Sequence, residues 1–280
     1  VIDDGCGMNY DDLKLSYYRH ATSKIRYDKD LFNIRSLGFR GEALASIAAV
    51  SLLEITSKTS EDPTANSIII EGGSEISCSP GAFPHTSGTA ISVKNIFFNT
   101  PARKKYMKTK STENRVVSEV VGSYMLAHSD ISFKLLIDGK VVLNTPKTSD
   151  LKERFYQLYK KDAKEMIVID DASGEELNKT RINLLDKGIK VSGLISTPKI
   201  HRKTRNDQIL FVNGRLIKSS TIYSAISNAY KGYLNTGEQP LVVLKISVDP
   251  KHIDVNVHPT KQEIKFEDEQ TIYRAVYHTV

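Results

Sequence analysis

The chain has 280 residues, 40% of them apolar and 26% charged, which excludes wholesale disorder and, at ~150 residues per domain, suits two domains with a core each. No apolar run approaches the ~20 residues a membrane-spanning helix needs, and two cysteines, Cys6 and Cys78, are too few for a disulfide framework, so a reducing, cytoplasmic setting is expected. The net charge of +6, from 39 Lys and Arg against 33 Asp and Glu, is compatible with a polyanionic partner without requiring one.

In chain order, Val1-Ile2 ahead of Asp3-Asp4-Gly5 reads as the tail of a strand entering a turn, as if the chain began part-way through a domain. Asn9 stands at a helix cap position, and Leu13, Tyr17 and Tyr18 give the next segment an apolar face to about His20. Residues 21–41 are polar and basic, too long for an ordinary connection, which suggests a lid, a binding loop or disorder. Residues 42–50 suit a short apolar helix, and 52–56, 67–71 and 89–93 read as strands. Val116, Val117, Val120, Val121 and Met125 recur at helical spacing, and Asp138-Gly139 between apolar triplets predicts a hairpin. The polar stretch 144–150, with Pro146, sets the expected boundary between domains 1–147 and 148–280.

Beyond it, Leu151, Phe155, Leu158 and Tyr159 make an amphipathic helix. Strands follow at 166–169, 181–185 and 190–194, and Asn213-Gly214 predicts a second hairpin. Ile222, Ala225, Ile226, Ala229 and Tyr230 give another helix, ahead of strands at 241–248 and 253–257 and a closing helix around Ile272 and Val276. Both halves mix helices and strands, so the predicted class is α+β.

Three segments carry candidate chemistry. In Asp3-Asp4-Gly5-Cys6-Gly7 a carboxylate at a strand end could accept from the exocyclic amine of adenine, and the glycines would let the backbone come close to a base. Taken alone, it reads first as an ordinary glycine turn, because Asp-rich glycine turns are commonplace. In Thr22-Ser23-Lys24 two hydroxyls beside a lysine suit phosphate oxygens, or the lysine simply complements a helix end. Leu37-Gly38-Phe39-Arg40-Gly41, running into a helix start, could present backbone N–H groups and a positive dipole end to an anion.

These segments, in this order and spacing, resemble the motifs of the GHKL ATPases, and Gly38-Phe39-Arg40-Gly41-Glu42-Ala43-Leu44 resembles specifically the MutL family of DNA mismatch repair proteins. Downstream, Ser87-Gly88-Thr89, the stretch from Ile96 to Arg103, Phe211-Val212-Asn213-Gly214-Arg215 and the stretch from Asp254 to Lys261 resemble further MutL segments. The resemblance implies a GHKL-type α/β sandwich followed by a smaller transducer-like domain. It implies ATP as ligand, with Asp3 at adenine, Gly5 and Gly7 shaping the pocket, and Gly88 and Thr89 closing its far side. Thr22, Ser23 and Lys24 would lie near the phosphates and ribose, residues 38–41 would form the lid, and Lys261, with Asn256 nearby, would reach the γ-phosphate as the catalytic lysine. The family usually carries asparagine where this chain has Asp4.

In that family the water-orienting glutamate and the magnesium-ligating asparagine lie on a helix ahead of the Asp-Gly motif, and this sequence starts after that point. The expectation is therefore an N-terminally truncated ATPase region, not competent alone, whose Mg2+ ligand lies on the missing helix; no other metal site is expected. The resemblance further implies an ATP-gated clamp with three partners: a second subunit, a mismatch-recognition protein and DNA bound without regard to sequence. The rival readings are another GHKL ATPase of the topoisomerase type and a non-catalytic DNA-binding or interaction module. Two basic runs bear on DNA. Arg103, Lys104 and Lys105 lead the first, with Lys108 and Lys110 behind them, while Lys199, Arg202, Lys203 and Arg205 form the second, ahead of the Asn213-Gly214 hairpin with Arg215. A single run usually marks a solvated face, whereas two in such a protein suggest phosphate contact.

Overall fold

The computed structural model describes residues 1–19, 21, 41–170, 188–254 and 264–280. Two compact units emerge, Val1–Thr109 and Lys110–Val280.

The first unit is an antiparallel five-stranded sheet backed by two short helices. Its strands are β1 (Ile2–Asp3), β2 (Leu52–Lys58), β3 (Ala65–Glu71), β4 (Ser74–Gly81) and β5 (Gly88–Lys94), in the order β1-β5-β2-β3-β4. Strand β2 alternates as an amphipathic strand should: Leu53, Ile55 and Ser57 are buried while their neighbours are half-covered. Helices α1 (Tyr10–Leu15) and α2 (Ala43–Ala48) cover that face, where Leu13, Tyr17 and Ala48 pack against Leu53, Ile55, Ile68 and Ile70. As the sequence predicts, Asn9 caps α1, its side chain accepting from the Asp12 N–H at 2.8 Å. Strand β4 escapes sequence reading because it is a largely exposed edge with Pro80 in it, so neither alternation nor a buried run marks it.

The second unit holds β8 (Met166–Asp170), β9 (Lys190–Ser196), β10 (His201–Arg202), β11 (Gln208–Val212), β12 (Arg215–Ile217), β13 (Gln239–Pro240) and β14 (Val242–Ser247); β10 pairs with β13, and the others form its main sheet in the order β12-β11-β14-β9-β8. Strands β11 and β14 run parallel and the other neighbours antiparallel. Both faces are covered, so β11 is buried throughout. Leu210, Val212, Leu244 and Ile246 face α6 (Ser220–Ala229) and α7 (Glu269–Thr279), whereas Ile209, Phe211 and Val243 face α5 (Leu151–Tyr159) and the end of α4 (Lys110–Ala127). Both predicted hairpins form. Asn213 and Gly214 (φ 49° and 77°) join β11 to β12, and Asp138 and Gly139 (φ 52° and 74°) join β6 (Phe133–Ile137) to β7 (Lys140–Thr145). Positive φ at both central residues gives the twist a two-residue hairpin requires. The strand expected at 181–185 and the end of that expected at 253–257 lie outside the described residues.

The compact units divide after Thr109, whereas the sequence reading sets its boundary at 147/148. The polar stretch 144–150 is instead tied on both sides by Arg154 of α5, which is fully buried. Its guanidinium donates to Thr145 Oγ1 and to the backbone carbonyls of Ser129 (2.8 Å) and Ile131 (2.7 Å). On the same face Lys245 Nζ donates to the Ala127 carbonyl at 2.9 Å, capping the end of α4 with a cation whose pKa desolvation lowers. Replacing Arg154 by Met removes three donated bonds, one of them to the buried Thr145 hydroxyl, and a loss of about 2–4 kcal/mol is expected by urea denaturation. An unchanged midpoint would contradict this role.

Candidate functional site

The first predicted motif is held by register. Strand β1 pairs with β5 so that Asp3 faces Thr89, and β5 pairs with β2 so that Thr89 faces Ser57. Directly opposed residues of neighbouring strands share a face, so Asp3, Thr89 and Ser57 form one transverse row on the helix-covered side of the sheet. The pairing extends to Val1, whose carbonyl accepts from the Ile91 N–H and whose backbone nitrogen donates to the Ile91 carbonyl, both at 2.8 Å.

Ser57 is 0% exposed and Thr89 8%. Ser57 Oγ donates to the Gly88 carbonyl at 2.9 Å, lies 2.8 Å from Thr89 Oγ1, and accepts from the Met8 N–H at 2.8 Å. One hydroxyl therefore joins the turn after β1, the start of β5 and the end of β2. Asp3 itself is exposed, and its Oδ1 accepts from the Gly5 N–H at 3.0 Å, an Asx-type turn that aims the carboxylate.

The glycines are sterically required. Gly7 adopts φ +71°, and a Cβ there would stand 1.9 Å from the Lys58 carbonyl oxygen; Gly88 adopts φ +136°, and a Cβ would stand 2.1 Å from that of Asp3. Gly41, at the end of the long predicted loop, has φ +61° and would clash at 2.2 Å with the Ala21 carbonyl oxygen, so the two ends of that segment meet.

Asp3, Gly5, Gly7, Gly88 and Thr89 thus lie together at the paired ends of β1, β5 and β2, and Gly41 stands at the end of the segment expected to form the lid. Thr22, Ser23, Lys24, Leu37, Gly38, Phe39, Arg40, Asn256 and Lys261 lie outside the described residues. Ser57 is missing from the sequence reading, although a signal exists: it is the third inward position of β2 after Leu53 and Ile55, a polar residue in an apolar slot. Among the described residues, no group of three or more His, Cys, Asp or Glu could hold a metal ion, and no helix is long and apolar enough to cross a membrane.

The basic residues divide by environment. Arg103, Lys104 and Lys105 are all exposed on the short helix α3 (Pro101–Lys105), followed by Tyr106 at 82% exposure. Lys203 is exposed, and Lys199 is exposed with Glu165 3.7 Å away. Arg202 is engaged within the fold: burial alone would lower its pKa, but bonds to Asp162 and Asp207 outweigh that and raise it. Arg215 is only 6% exposed, with its pKa lowered by desolvation. Its place on β12 beside the fully buried β11 encloses it, so the phosphate contact expected from sequence is withdrawn for Arg215 and weakened for Arg202.

A Gly88→Ala variant must push β1 away from β5. A loss of more than about 2 kcal/mol is expected for the first unit, read by thermal or urea unfolding; wild-type stability would show that the turn adapts.

Comparison with known proteins sets this geometry in a family. A model of the C-terminal domain of DNA mismatch repair proteins matches residues 168–280. The DNA mismatch repair protein MutL of Caldanaerobacter subterraneus subsp. tengcongensis is 39% identical over all 280 residues, which cover 45% of that protein. That of Halothermothrix orenii is 40% identical over 277 residues, covering 99% of this chain and 41% of the relative. The chain thus spans less than half the length of these curated relatives. Among solved structures, the N-terminal domain of a DNA repair protein superposes with a TM-score of 0.75 at 24% identity, covering 99% of this chain and 82% of that one. The Aquifex aeolicus MutL ATPase domain complexed with ADP gives 0.61 at 22% identity, covering 89% and 79%. The chain is a relative of the MutL DNA mismatch repair proteins over its whole length, and its α+β fold is the GHKL-type fold of their ATPase domains.

Proposed function

We propose that the first unit binds ATP, with Asp3 accepting from the exocyclic amine of adenine and Thr89 beside it. The observation that carries this reading is the row Asp3–Thr89–Ser57, locked by Gly7 and Gly88, whose missing side chains let neighbouring backbone close in around it. The phosphate-side roles of Thr22, Ser23, Lys24, the lid from Leu37 to Gly41, Asn256 and Lys261 rest on motif resemblance. The likeness to the Aquifex aeolicus MutL ATPase domain, which was solved in complex with ADP, supports a nucleotide as ligand.

Hydrolysis is a separate claim. It needs an activated water, and no residue of the described site is assigned to that step; magnesium likewise has no carboxylate cradle among the described residues. In the whole protein we assign ATP binding the role of pairing two such regions around DNA, with hydrolysis resetting them. A second subunit and a mismatch-recognition protein are the protein partners, in the cytoplasm. By calorimetry on the protein as encoded, Asp3→Ala is expected to weaken ATP binding about 10- to 100-fold, the worth of a hydrogen bond to a charged acceptor. Unchanged affinity would overturn the assignment of Asp3.

DNA contact is proposed for α3, where Arg103, Lys104 and Lys105 are exposed and have no ion-pair partner among the described residues, with Lys199 and Lys203 as further contacts. Such binding is read from phosphates and ignores sequence. Affinity is expected to fall steeply with salt. Replacing the three α3 cations with Glu is expected to flatten the log–log slope by about 0.9 for each phosphate no longer neutralised. Affinity that stays flat between low and moderate salt would contradict it.

A further inference from the structure

We propose that Ser57 is a specificity-positioning residue: it fixes the direction of the Thr89 hydroxyl, so that the site offers only hydrogen-bond acceptors to the base edge. The inference rests on the nucleotide-binding reading above and follows from counting protons. A serine hydroxyl has one proton to give and two lone pairs with which to accept. The Gly88 carbonyl, 2.9 Å from Ser57 Oγ, can only accept, so the Ser57 proton is spent there. The Met8 N–H, 2.8 Å away, can only donate, and occupies one lone pair. Thr89 Oγ1, 2.8 Å from Ser57 Oγ, therefore donates its own proton to the remaining lone pair.

Thr89 Oγ1 is then left with lone pairs alone on its other side. Its register neighbour Asp3 also presents an acceptor when ionised, and the one N–H spent nearby, that of Gly5, already satisfies Asp3 Oδ1. An exocyclic amine has two N–H groups and can satisfy both acceptors, whereas a carbonyl oxygen in its place can satisfy neither. Ser57 itself touches no ligand. It acts through Thr89, and because it is fully buried it cannot trade its partners for water.

The test compares ATP with purine riboside triphosphate, which lacks the exocyclic amine and keeps N1 unprotonated, on the protein as encoded. The readout is the ratio of the two dissociation constants. Wild type is expected to favour ATP. Ser57→Ala frees the Thr89 hydroxyl to rotate and donate, and the ratio is expected to narrow about ten-fold. Ser57→Thr keeps the hydroxyl and is expected to restore it. Thr89→Val keeps the shape, removes the acceptor and is expected to narrow the ratio as well, which preserves the test should Ser57→Ala fold poorly. Equal losses for both nucleotides in these variants, with the ratio unchanged, would make Ser57 a structural residue and overturn the proposal. Failure of wild type to bind either nucleotide would instead remove the nucleotide reading on which it stands.

Discussion

The candidate site depends on one buried hydroxyl and on the strand register that brings it there. Ser57 joins three stretches of chain that are distant in sequence: the turn after β1, the end of β2 and the start of β5. A one-residue slip of β2 against β5 would turn Ser57 to the opposite face of the sheet and break all three bonds. The apolar partners of β2 resist that slip, because Leu53 and Ile55 lie under α1 and α2 on the same face. Hydrophobic burial thus sets the register, and the register sets the polar row. The carboxylate of Asp3, exposed and held to its own turn by Gly5, takes its position from that row.

The second unit follows a different arrangement. Its sheet is covered on both faces, so alternation gives way to continuous burial along β11. Two cations, the buried Arg154 and the half-buried Lys245, donate to backbone carbonyls around the end of α4 and the turn into β6. They place α4, β6, β7 and α5 with the C-terminal sheet in one compact body. Arg215, enclosed beside β11, belongs with these interior cations and not with the solvent-facing lysines and arginine of α3.

Much of this was legible in the sequence where a local rule applies. Asn213-Gly214 and Asp138-Gly139 announce their turns because few dipeptides tolerate two positive φ values. Asn9 announces the start of α1, and Gly7 of the Asp-Gly motif sits where a Cβ would meet backbone. What sequence reading missed depends on partners distant along the chain. Strand β4 is recognisable only once β3 lies beside it, the continuity of residues 144–150 with their surroundings appears only with Arg154 in place, and the burial of Arg215 only with the sheet assembled. Ser57 looks like any strand serine until Thr89 and Met8 reach it.

Hydrogen exchange on the protein as encoded, with and without saturating ATP, tests the central claim most directly. Protection gained on binding is predicted to centre on the amides of residues 3–8 and 88–90, the turn and strand that meet at Ser57. Protection absent from these segments, or confined to the unit Lys110–Val280, would contradict it.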